Sequence, residues 1–172
     1  MNIFYLDDDT KLCAQAHCDQ DVIKMALGYA QMMSTAHRVL DEPSELIEFM
    51  YKPTHKNHPS AIWLRESDGN YKWMYEMWHY LCKDYWWRYD KIHKGWEALY
   101  NKLSHTPINI TAGQFSRPPQ CMPDKFKQKD TIKAYSEYYI KKKSHIAKWG
   151  GAANNNRRPP KWFIQGRQNA NV

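Results

Sequence analysis

The chain lacks the features that mark membrane-spanning and disulfide-stabilised proteins. No apolar run approaches the ~20 residues that a membrane-spanning helix needs. Asp7, Asp8 and Asp9 interrupt any apolar run near the amino terminus, so we expect no signal peptide. None of the four cysteines forms a C-x-x-C pair. These absences predict reduced thiols in a cytoplasm-like compartment, with no membrane partner.

Metal-ligand spacing is also scarce. His55 and His58 form one His-x-x-His pair, for which Cys18 or His17 would be the further ligands. No second liganding pair occurs at zinc spacing, so we predict no metal and no other cofactor. The preferred interpretation is that His58 caps or orients the following helix, while Arg65 binds a phosphate or carboxylate group of a substrate.

Aromatic side chains and positive charge are what the chain has in excess. Aromatics make up 15% of its 172 residues, and the net charge is +7. Residues 1–50 carry three Lys or Arg against nine Asp or Glu, whereas residues 51–172 carry 22 against nine. This imbalance predicts a polyanionic partner, nucleic acid first. A basic protein without such a partner is the alternative.

Helix signals recur along most of the chain and predict a mainly α fold. The expected helices cover about 10–40, 43–50, 60–66, 70–92, 94–104 and 130–149. Residues 2–6 suit a short strand or a buried arm, and Asp68-Gly69 marks a turn. Residues 105–124 hold four of the nine prolines and should form an ordered loop.

These elements predict one compact domain. Residues 1–150 form a helical bundle with a long central first helix. Residues 151–172 form a basic polar tail, anchored by Trp162-Phe163, that packs on the bundle or is partly mobile.

The first long helix carries a narrow polar stripe on an otherwise apolar surface. Seven residues share a sector about 100° wide on the helical wheel: His17, Asp21, Lys24, Gly28, Gln31, Thr35 and Arg38. The stripe is either the solvated face of a central helix or the wall of a cleft, and we adopt the cleft hypothesis. Apolar surroundings would then make the Lys24 amine a nucleophile. Gly28 would admit a close ligand or a neighbouring chain.

The cleft hypothesis assigns a role to each polar residue. Lys24 is the candidate nucleophile, Asp21 the candidate acid or base, and His17 completes the catalytic set. The candidate substrate-binding residues are Gln31, Thr35, Arg38, His58 and Arg65.

The segment 70–96 is unusually rich in aromatic residues. Its spacing predicts a core made of Trp63, Trp73, Met74, Met77, Trp78, Leu81 and Tyr85. Trp86, Trp87, Arg88 and Tyr89 cannot share one helical face, so some of them are exposed or covered by the loop. Base stacking is an alternative use for these rings, although core packing is the commoner one.

The carboxy-terminal third is the most basic part of the chain. Residues 124–172 contain twelve Lys or Arg against three Asp or Glu, interleaved with Tyr and Trp. Cations beside aromatic rings suit a phosphate backbone with unstacked bases. The candidate nucleic-acid-binding residues are Lys133, Tyr138, Tyr139, Lys141, Lys142, Lys143, Lys148, Trp149, Arg157 and Arg158.

Six blocks, MNIFYLDDD, AHCDQDVIKMALGYAQMMSTAHRVLD, YKPTHKNHPSAIWLRES, NYKWMYE, RPPQCMPD and YYIKKKSHIAKW, resemble a family of small bacteriophage proteins. Members are described as hypothetical, or as similar to pyrimidine-dimer DNA glycosylases of the endonuclease V type. The resemblance implies a compact all-α protein in the cytoplasm of the infected bacterial host. It also implies a nucleic-acid partner, with DNA preferred over RNA.

The resemblance further implies glycosylase/lyase chemistry, in which an amine attacks C1′, a carboxylate assists and a Schiff base forms. The histidine of the first long helix corresponds to His17, and the carboxylate position corresponds to Lys24. Relatives carry a basic-His pair at Gln20-Asp21 and Glu at Gly28. Met1-Asn2 is a poor substrate for methionine removal, so a Schiff base would need Lys24 or the Met1 amine.

Two other functions compete with the glycosylase hypothesis. A non-catalytic phage effector would bind a host protein or nucleic acid, which the exposed aromatics and Gly28 favour. An enzyme acting on modified bases or nucleotides would use the stripe as a small-molecule pocket.

The basic segment predicts salt-sensitive binding, because association with nucleic acid releases counterions. Replacing lysines of this segment by alanine should flatten the slope of log affinity against log salt by about 1 per lysine. Equilibrium binding of a labelled oligonucleotide between about 50 and 200 mM salt measures the slope. An affinity independent of salt would remove the nucleic-acid hypothesis.

Overall fold

Helices build the protein, and a computed structural model describes residues 2–151, 155 and 157–169. Within these residues there is no strand, which confirms the mainly α prediction. The helices are α1 (Thr10–Ala16), α2 (Asp19–Leu40), α3 (Glu45–Glu48), α4 (Pro59–Glu66), α5 (Asp68–Tyr89), α6 (Lys94–Leu103), α7 (Thr131–Tyr138) and α8 (Lys161–Asn169). A 3₁₀ turn covers Asp124–Phe126, and a π-helical turn, Tyr139–Lys143, continues α7. No helix in the described part of the chain is long and apolar enough to cross a membrane.

The first long helix is interrupted, so the prediction of one helix over 10–40 is wrong. His17 and Cys18 both adopt extended backbone angles, which end α1 and start α2 in a new direction. The Asp9 side chain caps α1 by accepting from the amide of Leu12 at 2.8 Å. The amide of Asp19 donates to the Lys148 carbonyl at 2.7 Å, a contact that a continuous helix would not leave available.

α2 and α5, each of 22 residues, form the centre of the bundle. α2 packs against α4, α5 and α6, while α1 packs along α5. The Trp78 indole lies fully buried between the two long helices and donates to the Ala26 carbonyl at 2.8 Å. Aromatic rings therefore fill this core, as their spacing predicted.

α5 begins two residues earlier than its sequence pattern indicates. The Ser67 hydroxyl accepts from the amide of Asn70 at 3.1 Å and caps the helix, so Asp68-Gly69 lies in its first turn and the predicted turn between helices at these residues is wrong. Gly69 allows close packing here, since a Cβ would lie 2.6 Å from the carbonyl oxygen of Gly113. α5 ends at Tyr89, because the next residue, Asp90, adopts a left-handed conformation with φ 52°.

Other boundaries also differ from prediction. The short helix expected at 43–50 is confined to α3, because the Ser44 side chain caps Glu45–Glu48. The helix expected at 130–149 ends with the π-helical turn at Lys143. α4 and α6 occur where the prolines, caps and periodicity predicted them.

Two irregular segments are held by specific contacts. Residues 2–6 form the buried arm rather than a strand, and the Phe4 amide donates to the Tyr29 hydroxyl at 3.1 Å. The proline-rich loop is ordered against α4 and α5: the Trp63 indole donates to the Ser116 carbonyl at 3.1 Å, and Phe115 stacks on Trp73.

The carboxy-terminal tail contains a helix that its composition did not indicate. α8 packs on α7 and on the π-helical turn, and the Phe163 ring is buried 4.7 Å from the ring centroid of Trp149. Residues 151, 155 and 157 contact the first residue of α2, Asp19, and the last two turns of α5 at Trp87 and Asp84. The rest of the tail prediction, residues 152–154, 156 and 170–172, lies outside the described residues.

Gly151 is the point where the tail turns across α5. Its φ of +63° disfavours side chains, and a Cβ would lie 2.7 Å from the Arg88 carbonyl oxygen. We expect Gly151→Ala to lower the free energy of unfolding by about 1–3 kcal/mol. Gly150→Ala is the matched control, because a Cβ there meets no atom within 4 Å. Denaturant unfolding measures both, and equal stabilities would contradict the packing described here.

Candidate active site

The polar stripe does not form one wall. His17 lies at the end of α1 instead of on α2, and Thr35 is fully buried. The Thr35 hydroxyl accepts from the amide of Thr54 at 3.1 Å, and the Arg38 guanidinium donates to the Tyr51 carbonyl at 2.8 Å. These two residues bind the main chain of the segment after α3, while Gln31 is half-buried further along the helix. The prediction of a single cleft is therefore wrong.

A pocket of about 420 Å³ opens beside the amino end of α2, and it contains two of the predicted catalytic residues. We call it the Asp21 pocket. Its walls come from the buried arm, from α2 and from the end of α7. The lining residues are Asn2, Phe4, Gln20, Asp21, Lys24, Met25, Tyr138, Lys143 and Ile146.

The Asp21 carboxylate is the most enclosed charge of the pocket, with 2% of the residue exposed. It accepts hydrogen bonds from the Lys143 amine at 2.7 Å and from the Tyr139 hydroxyl. The Cys18 thiol approaches it at 3.5 Å. A buried carboxylate is costly without such partners, so the site needs Lys143 and Tyr139 for its stability.

The neighbouring hydroxyl and thiol both stay protonated. Burial and the negative charge of Asp21 raise the pKa of Tyr139 well above its usual value. Burial, with the same carboxylate, raises the pKa of the Cys18 thiol to about 11. The Tyr139 hydroxyl and the Cys18 thiol therefore keep their protons at neutral pH, and both donate to the Asp21 carboxylate.

Lys143 is the amine that lies inside the pocket. Only 14% of its side chain is exposed, and its Nζ lies 4.0 Å from the ring centroid of Phe4. The π-helical turn directs this lysine toward α2, whereas Lys141 and Lys142 of the same turn are exposed. The sequence grouped all three as phosphate ligands, and for Lys143 the buried ion pair with Asp21 is the main contact instead.

Lys24 lies at the rim of the Asp21 pocket with an exposed side chain. Because the Lys24 side chain is exposed, it lacks the burial that was expected to activate its amine, and that argument for a nucleophile is wrong. Asp21 and Lys24 are nevertheless near each other, as their spacing on the helix predicted.

His17 affects the pocket indirectly, through its hydrogen bond to Tyr29 and the contact of Tyr29 with the buried arm. Its Nδ1–H donates to the Cys13 carbonyl at 2.8 Å, which leaves Nε2 to accept from the Tyr29 hydroxyl at 2.9 Å. Tyr29 in turn accepts from the amide of Phe4, the residue under the Lys143 amine. Burial lowers the pKa of His17 to about 4, so the ring is neutral at pH 7. His17 positions the arm and does not line the pocket.

His58 and Arg65 lie outside the Asp21 pocket. His58 Nδ1 accepts from the amide of Ser60 at 3.2 Å, which confirms the predicted cap of α4. His58 also borders an open groove of about 1070 Å³ beside the proline-rich loop and Lys129. The Arg65 guanidinium donates to the Lys56 carbonyl at 2.7 Å and so holds the preceding loop. In the described part of the chain no three His, Cys, Asp or Glu side chains are grouped to hold a metal ion.

The predicted nucleic-acid-binding residues divide into three groups. The exposed ones are Lys133, Lys141, Lys142, Lys148 and Arg158. Tyr138, Lys143 and Arg157 are half-buried; Tyr138 and Lys143 line the Asp21 pocket, and Arg157 pairs with Asp84. Tyr139 and Trp149 are buried, so their predicted base stacking is wrong. Tyr139 packs edge-on against Phe4, and the Trp149 indole donates to the Ala16 carbonyl at 3.2 Å.

The sequence did not predict that the buried arm, residues 2–6, would form one wall of the site. Asn2 and Phe4 line the pocket, yet the arm showed only an apolar run. The lysine run at 141–143 was visible, but no local signal distinguishes its last member, which meets Asp21 across 122 residues of chain.

The chain was compared with known proteins at the levels of family, sequence and structure. No protein-family model, no curated protein and no solved structure matches it. The family resemblance carried by the sequence blocks therefore stays a prediction.

Neutral His17 makes stability depend on pH. The folded pKa of about 4 lies below the usual 6.5, so the unfolded chain binds a proton more readily as pH falls through this interval. We expect this residue to remove about 3 kcal/mol from the free energy of unfolding between pH 7 and pH 4. Denaturant unfolding of wild type and His17→Gln at several pH values measures the difference. An identical pH dependence in both proteins would rule out this role for His17.

Proposed function

We propose that the chain is a DNA-binding protein that acts as a glycosylase/lyase on damaged or modified pyrimidines, with the reaction in the Asp21 pocket. One observation carries the proposal: a lysine amine and a buried carboxylate are in contact within a pocket of about 420 Å³. That volume lies within the ~300–1,000 Å³ typical of small-molecule sites. The motif resemblance to glycosylase-like phage proteins supports the choice of substrate.

The pair has the groups that an amine-dependent glycosylase needs. Asp21 takes a proton from Lys143, and the neutral amine attacks C1′ of the nucleotide. A C–N bond to lysine forms as the bond from C1′ to the base breaks. The base leaves with the bonding electrons and receives the proton that Asp21 holds. Lys143 thus replaces Lys24 as our candidate nucleophile.

The same two residues can complete the lyase step. The attached nitrogen loses a proton to Asp21, which passes it to the ring oxygen as the sugar opens and a Schiff base forms. Asp21, again a carboxylate, then takes a C2′ proton, a C2′–C3′ double bond forms, and the 3′ phosphate leaves with the electron pair of its C3′–O bond. Water adds to the Schiff base at the end and releases the Lys143 amine.

The surroundings of the pocket suit a DNA backbone. Lys24 lies at its rim, and Lys141 and Lys142 are exposed on the same turn as Lys143. Exposed lysines bind phosphates through charge and counterion release, without reading sequence. Phe4 and Tyr138 supply apolar and aromatic wall for a base turned out of the helix.

A non-catalytic effector that binds a host protein or nucleic acid is the second candidate function. The hydrogen bonds of Asp21 favour this second function. Both carboxylate oxygens accept from the Lys143 amine, and one of them also accepts from the Tyr139 hydroxyl. Catalysis requires a bound nucleotide to separate the amine from this carboxylate. An effector would use the pair only to hold α7 against α2.

Borohydride trapping distinguishes the two functions. Wild-type protein should form a covalent adduct on DNA containing an abasic site or a pyrimidine dimer, because borohydride reduces a Schiff base. Lys143→Gln should lower the yield by about 100-fold or more, as expected for loss of a nucleophile. Lys142→Gln, one residue away and exposed, is the matched control; at saturating DNA it should trap like wild type, because it removes only a phosphate contact and no reacting group.

Two further variants keep the test interpretable. Asp21→Asn with Lys143→Gln preserves a neutral hydrogen-bonded pair, so the fold should survive while trapping is lost. Lys24→Gln should retain the adduct if Lys143 is the nucleophile. Absence of any adduct with the wild-type protein would reject the glycosylase/lyase proposal.

A further inference from the structure

A second hollow, of about 450 Å³, lies between α1, α5 and the tail. We call it the aromatic hollow. It is lined by Lys11, Gln15, Tyr80, Lys83, Asp84, Trp86, Trp87 and Arg157, and none of these residues lines the Asp21 pocket. The glycosylase chemistry uses none of them.

Two adjacent tryptophans make this hollow unusual. Trp86 is 54% exposed and Trp87 is 44% exposed. The Trp87 ring has the Arg157 guanidinium 5.5 Å from its centroid. Trp86 makes no ring–ring or cation–ring contact with any residue that the structure describes. An open indole face of this kind is available for stacking.

Some of the charged side chains around the hollow form ion pairs, and others do not. Arg88 is fully buried and pairs with Asp19 at 2.9 Å and with Asp84 at 2.6 Å. Arg157 pairs with Asp84 at 2.6 Å as well. Two arginines thus balance two aspartates, and the network holds the tail against α5. One side of the hollow is therefore bounded by an ion-pair network that joins α5 to the tail.

Lys11 and Lys83 are the lysines of the hollow that take no part in this ion-pair network. Both are exposed and line the hollow, and neither has an ion-pair partner among the residues the structure describes. The hollow consequently presents an excess of two positive charges beside an open aromatic face. A nucleotide, with a planar base and an adjoining phosphate, matches this combination.

We propose that the aromatic hollow binds one unstacked base of single-stranded nucleic acid on Trp86, with Lys11 and Lys83 on the adjoining phosphates. Duplex DNA keeps its bases stacked on each other and offers only phosphates to the two lysines. This inference rests on the nucleic-acid partner of the proposed function, but it does not require the reaction of Asp21 and Lys143.

Fluorescence anisotropy with labelled dT15 and with a labelled duplex of the same length tests the proposal. Trp86→Ala should weaken binding of dT15 by about tenfold, the size expected for loss of one base–aromatic stack, and change duplex binding by less than about twofold. Trp86→Phe should retain most of the affinity, since a phenyl ring still stacks. Lys83→Ala should reduce the salt slope for dT15 by about 0.7.

Phe49→Ala is the matched control, because Phe49, which directly follows α3, is 67% exposed and does not line the hollow. It should bind dT15 like wild type. The proposal is overturned if Trp86→Ala binds dT15 as wild type does, if it loses dT15 and duplex equally, or if wild type does not bind dT15.

The trapping assay separates this proposal from the glycosylase proposal. A Trp86-dependent affinity without any borohydride adduct would retain the aromatic hollow and reject the chemistry. An adduct together with a Trp86-independent affinity would do the reverse.

Discussion

Asp19 and Asp21, in the first turn of α2, form ion pairs on two sides of the helix. Asp19 pairs with the buried Arg88, and Asp21 pairs with Lys143. Burying these charges is costly, and breaking either pair would leave an uncompensated charge inside the protein. The amino end of a helix favours negative charge, which makes this turn a suitable place for both carboxylates. The segments that carry the cations are thereby held in fixed positions.

Each ion pair organises one of the two hollows. The Asp21–Lys143 pair draws the π-helical turn toward the arm and creates the pocket over Phe4. The Arg88 network reaches Asp84 and Arg157 and holds the tail over Trp87. Gly151 belongs to the same arrangement, because its amide donates to Asp19 at 3.0 Å. Pocket chemistry and tail placement therefore depend on two residues, Asp19 and Asp21, of one helical turn.

Local patterns predicted most elements and only part of the site. Caps, prolines and apolar spacing were sufficient for α4 and α6, since these signals act within a few residues. They failed at His17-Cys18, where the amide of Asp19 pairs with a carbonyl far along the chain. The helical wheel correctly brought Asp21 near Lys24. It could not show that Thr35 and Arg38 would bind the main chain near Thr54 and Tyr51.

The amino-acid sequence by itself determined the helical class, the aromatic core and the basic character of the carboxy-terminal third, because these follow from composition and from short-range periodicity. Tertiary structure decided which polar groups became buried partners and which remained free. Lys141, Lys142 and Lys143 are chemically identical, yet only Lys143 is enclosed against Asp21. The reason is physical: the environment of a charge is set by the groups folded around it, and here those groups come from opposite ends of the chain.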